Sequence, residues 1–75
     1  MTVSEAMKKA REKAGLTQAQ LSKISGVFSQ NISKYELGQA LPRVDTVELL
    51  ADALGISIDE YVGHEVKAGV KNATH

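Results

Sequence analysis

Ser29, Gln30, Asn31, Ser33 and Lys34 form a short run of hydroxyls, amides and one cation, with no carboxylate before Glu36. On a helix, Ser29, Gln30, Ser33 and Lys34 share one side and Asn31 flanks it. Such a face supplies what base edges in a DNA major groove pair with. A glutamine amide can bond adenine N6 and N7 together, and a lysine can reach guanine O6 or N7, or else a phosphate. An ordinary solvated helix face has the same make-up. The elements that hold these residues decide between the two readings.

Those elements lie between Thr17 and Gly38, and they read as helix, turn, helix. Leu21 and Ile24, then Val27, then Ile32 and Tyr35 recur at spacings that bury one side. Gly26 stands where the chain must turn sharply, and a residue without a side chain tolerates positive φ. Thr17 with Gln20 has capping-box spacing, so the first helix runs over about 18–25, with Leu16 placed as its hydrophobic staple. The second helix runs over about 29–36. It is preceded by Phe28, whose ring cannot cap a helix. Either Ser29 takes over and the helix starts one residue later, or the end is poorly capped. The ring has two readings, a cover laid over the turn or an apolar contact with a thymine methyl.

The order of these letters resembles the helix-turn-helix of the lambda-repressor and Cro type, the XRE family. The matching residues are Gly15-Leu16-Thr17-Gln18, Leu21, Ser22 at the small-residue position, Gly26-Val27, Ile32-Ser33-Lys34-Tyr35-Glu36, Gly38 and Pro42. The likeness extends over residues 4 to 62. It implies an all-α, compact five-helix DNA-binding domain, and a sequence-specific regulator of transcription, as a repressor, acting on double-stranded DNA. Helix 3 would enter the major groove and helix 2 would lie across the backbone. Base contacts are expected from Ser29, Gln30 and Lys34, with Phe28 as a further candidate. Backbone contacts are expected from Gln18, Asn31, Ser33 and Arg43. Gln18 would also brace the start of helix 3. Where the family usually places a serine or threonine before helix 3, this chain has Phe28. The family also pairs the positions of Arg11 and Glu36 in an internal salt bridge. On spacing, Arg11 lies one residue off the apolar line of Met7, Ala10 and Ala14 and so borders the core. Its planar guanidinium can hold a carboxylate bidentately.

The remaining helices follow from caps and periodicity. Helix 1 spans about 4–14, with Thr2 and Glu5 at capping-box spacing and Val3, Met7, Ala10 and Ala14 facing inward. Pro42 marks a boundary before helix 4 at about 44–54, whose stripe is Val44, Val47, Leu50, Ala51 and Leu54 and whose stop is Gly55. Ser57 with Glu60 opens a short helix 5 at about 58–62. The expected domain is residues 1–63, followed by a flexible tail over 64–75. Ile56, Ile58, Tyr61 and Val62 exceed what one turn of helix needs to cover a core. They are expected to form the contact of a homodimer, at least on DNA, that binds a palindromic operator, and Val66 or Val70 would extend the patch.

Composition narrows the function classes. Seventy-five residues make one domain, small enough to bury only ~60% of the surface its unfolded chain exposes. With no cysteine there is neither a disulfide framework nor a thiolate zinc site, so a helical core must hold the fold. The net charge is zero but polarised. Residues 1–34 carry six cations against two acids, and residues 35–75 carry three against seven. The basic half contains the reading face. Both histidines lie in the tail, where His64, Glu65 and His75 offer a metal no rigid geometry. No cofactor, metal or catalytic residue is expected. No apolar run reaches the ~18 residues of a membrane span, and the first residues lack a signal-peptide pattern, so the expected location is the cytoplasm. The other reading to be weighed is a protein-interaction module on the same fold, pairing with a toxin or another regulator.

Overall fold

The computed structural model describes residues 2–62; the tail expected over 64–75, with Val66 and Val70, lies outside the described residues. Four helices, α1 (Val3–Lys13), α2 (Gln18–Ser25), α3 (Ser29–Glu36) and α4 (Val44–Leu54), are followed by a short α5 over 58–62. No strand occurs among the described residues.

Local chemistry sets the helix starts. Thr2 caps α1 and Thr17 caps α2, each in a complete capping box with Glu5 or Gln20. In both, a threonine hydroxyl and an N3 side chain satisfy backbone N–H groups that have no partner within the helix. The Ser57 hydroxyl accepts the Glu60 N–H at 3.1 Å and opens α5 in the same way. At the other end of α2, Gly26 adopts φ 82°. Gly38 adopts φ 76° after α3, where the Gln39 N–H reaches back to the Lys34 carbonyl and the Gly38 N–H to that of Tyr35. That pair of bonds is the Schellman arrangement, which satisfies the last carbonyls of a helix and needs a left-handed residue.

Packing joins α2 to both α4 and α3, and α1 to α3. Met7, Leu21, Val27, Ile32, Val47, Leu50, Ala51, Tyr61 and Val62 form the core, and Leu16, Tyr35, Leu54, Ile56 and Ile58 pack partly buried against it. Three inward placements differ from expectation. Ala14 is exposed because it caps the end of α1, and Ala6 is buried instead. Ile24 is 58% exposed at the last turn of α2, while Leu21 fills the core. On α4 the buried stripe is Val47, Leu50 and Ala51, and Val44 stays exposed at the first turn.

Tyr61 and Val62 require a larger correction. Both are fully enclosed within one protomer, at 0% and 1% exposure, and so offer no surface to a second copy. A 75-residue chain has few large side chains with which to fill its centre, and α5 supplies two of them.

Candidate nucleic-acid interface

The face of α3 is positioned from behind. Ile32 and Glu36, one turn apart, are its buried residues. Gln30 and Lys34, also one turn apart, are exposed, and Ser29, Asn31 and Ser33 are partly buried. Of the expected base-reading residues, Gln30 and Lys34 therefore stand on the outer side of α3, and Ser29 is only partly exposed. Arg43, exposed, is the N-cap of α4.

Glu36 is where three helices meet. Arg11 Nε donates to Glu36 Oε2 at 2.8 Å and Arg11 Nη2 donates to Oε1 at 2.9 Å, the two-pronged geometry that suits a guanidinium to a carboxylate. The third prong, Arg11 Nη1, donates to the Leu16 carbonyl at 2.7 Å. The two side chains are only 11% and 3% exposed. The expected internal pair is thus present and nearly closed to water. Hydrogen bonding to Glu36 raises the pKa of Arg11 despite the opposing effect of burial, so the guanidinium charge is secure.

Gln18 completes this cluster. Its side-chain Nε2 donates to Glu36 Oε1 at 3.1 Å, tying the start of α2 to the end of α3. The expectation that Gln18 braces the start of α3 is corrected here, since the brace falls at the other end. Position 18 is known to be a helix start from Thr17, but nothing local shows that its amide reaches a residue 18 positions on. The Leu16 carbonyl was missed for the same reason. Its partner is a side chain on the preceding helix.

At its N-terminus α3, like α4, lacks the side-chain cap that α1 and α2 have. Phe28 occupies the N-cap position at φ −59° and ψ 137° and makes no side-chain cap hydrogen bond. The helix starts at Ser29, so the poorly capped alternative holds. The ring is 74% exposed, which overturns the reading of Phe28 as a cover over the turn. Beyond α3, Leu37 and Leu41 are exposed apolar residues in the connection to α4.

Ile56 and Ile58 remain partly exposed. Ile56 lines an open groove with Ala10, Lys13, Ala14, Leu54 and Glu60. No helix among the described residues is long and apolar enough to cross a membrane. No cluster of three or more His, Cys, Asp or Glu side chains among them could hold a metal ion.

A family model described as Helix-turn-helix matches residues 7–61. The chain is 38% identical over 63 residues to the cryptic phage CTXphi transcriptional repressor RstR of Vibrio cholerae, covering 84% of this chain and 56% of that protein. It is 31% identical over 74 residues to the HTH-type transcriptional regulator ImmR of Bacillus subtilis, covering 99% and 58%. It is 34% identical over 65 residues to the immunity repressor protein of Bacillus phage phi105, covering 87% and 45%. The chain spans about half the length of the curated relatives it matches.

Proposed function

Because the chain belongs to the helix-turn-helix family, we propose that it is a sequence-specific, double-stranded DNA-binding repressor of transcription that reads the major groove with α3. One observation carries the reading. Glu36 is the only acid of α3, and it is turned inward onto Arg11. The outer side of the helix therefore presents Gln30 and Lys34 to a polyanion with no negative charge of its own. Relatives named as repressors support the sense of regulation.

In this reading Ser29, Gln30 and Lys34 contact base edges, while Gln18, Asn31, Ser33 and Arg43 hold phosphates and set register. The Gln18 amide nitrogen has a second N–H beyond the one given to Glu36, and this is free to meet a phosphate. The work is binding without catalysis, in the cytoplasm.

A single recognition helix reads few base pairs, and one such module buries little surface. The proposal therefore includes a homodimer on a palindromic operator, with recognition helices ~34–36 Å apart. With Tyr61 and Val62 inside the protomer, the contact falls to the groove where α1, the end of α4 and α5 meet, which Ile56 lines. The groove contains both Lys13 and Glu60. A twofold contact would set Lys13 of one copy against Glu60 of the other, and the reverse.

Selection of bound sites from a random DNA pool, followed by gel shifts at two salt concentrations, tests the function. The expected result is enrichment of a twofold-symmetric site, with log affinity falling linearly as log salt rises. A pool in which no site is enriched would overturn sequence-specific binding. It would leave the protein-interaction module as the better account of the fold.

A further inference from the structure

We propose that Phe28 is a specificity-determining residue, whose phenyl ring reads the 5-methyl group of thymine at one position of the operator. The inference rests on the DNA-binding reading above and adds to it the chemical group recognised. Two structural roles for the ring fail on the geometry. It does not serve the core, being 74% exposed and absent from the side chains packed there. Nor does it serve the helix, since it stands at the N-cap without a cap hydrogen bond, where an oxygen-bearing side chain would satisfy a backbone N–H.

What remains is an apolar surface held out to solvent at the N-terminal end of α3, next in sequence to Ser29 and Gln30. In the docking geometry of a helix-turn-helix, the N-terminal residues of this helix meet base edges. The groups exposed on base edges in the major groove are hydrogen-bond donors and acceptors, with one apolar exception, the thymine methyl. A phenyl ring can donate no hydrogen bond to the others and has no charge for a phosphate. The chemistry of Phe28 therefore fits thymine, and equally a cytosine methylated at C5.

The test uses the preferred site recovered from the random pool. Each thymine is replaced in turn by uracil, which keeps every hydrogen-bonding atom and loses only the methyl. Binding is expected to weaken about fourfold at one position or its symmetry mate, the ratio that corresponds to burying a single methyl-sized group. In Phe28→Ser and Phe28→Ala the uracil and thymine sites should bind equally at that position, while preferences elsewhere persist. Serine should restore the missing cap, so a melting temperature at or above the parent's is expected for that variant. An enriched site at which every thymine tolerates uracil overturns the role of Phe28 alone. So does a uracil effect that is undiminished in both variants. A pool with no enriched site overturns the DNA-binding reading, and this inference with it.

Discussion

The Tyr61 hydroxyl is buried with no hydrogen-bond partner among the described residues. Burial raises its pKa above the ordinary 10.0, and the nearby charge of Glu36 acts in the same direction. An unmade hydrogen bond in the interior costs ~1–3 kcal/mol. Tyr61→Phe should therefore leave stability at neutral pH unchanged or raise it by up to that amount. The pH dependence has a definite sign. Above pH 10 the unfolded chain gives up this proton while the folded chain keeps it, so the hydroxyl's contribution is intact below that point and is lost as pH rises. The parent should lose up to ~1.4 kcal/mol per pH unit relative to Tyr61→Phe in that range. Urea melts at neutral and alkaline pH read both effects, and a variant less stable at neutral pH would mean that the hydroxyl has a partner. The Arg11–Glu36 pair should behave in the opposite way. With side chains 11% and 3% exposed, Arg11→Met and Glu36→Gln should each cost ~3–5 kcal/mol, because each strands a buried partner. The double variant should cost less than the sum of the two. Additive losses in urea melts would show that the pair is not coupled.

Among the elements, α3 shares with α4 the lack of a side-chain cap. It begins at a phenylalanine without a cap bond, and Phe28→Ser should stabilise the protein by ~0.5–2 kcal/mol. Gly26, at φ 82° with nothing near the place a Cβ would take, makes the turn between α2 and α3. Gly26→Ala should cost ~1–2 kcal/mol from backbone conformation alone, read as a lower midpoint in a urea melt. Helix positions were legible in the sequence because their causes are local. Thr2, Thr17 and Ser57 signal helix starts within three residues of themselves, and Gly26 and Gly55 mark the stops. Burial was legible only in part. Periodicity defines a stripe on a helix but not how much of it the neighbours cover, hence the exposure of Ile24 and Val44. The five residues of α5 are too few for a period to separate an inner face from an outer one, hence the misplacement of Tyr61 and Val62. The Arg11–Glu36 bridge came from family likeness. The link from Gln18 to Glu36 has no local signal, because its two ends meet only through the packing of α2 on α3.

At the scale of the whole molecule, a net charge of zero limits the sequence-independent attraction to DNA. Affinity then depends on a few placed cations and on base contacts. Arg43→Ala should weaken binding to all sequences alike and reduce the slope of log affinity against log salt by ~1. Loss confined to particular sites would instead make Arg43 a base contact. Reversing charge in the proposed dimer groove, by Lys13→Glu or Glu60→Lys, should remove the advantage of a full palindrome over a half-site, and the two changes together should restore it. The central claim is that the outer side of α3 reads base sequence, and Gln30 is its exposed amide, with the donor and acceptor that suit adenine. The most direct measurement is the base-by-base preference profile in competition binding, compared between the parent and Gln30→Ala. The account predicts that the variant loses ~1–3 kcal/mol of discrimination at one base pair of each half-site, with an unchanged melting temperature. A profile identical to the parent's would contradict it.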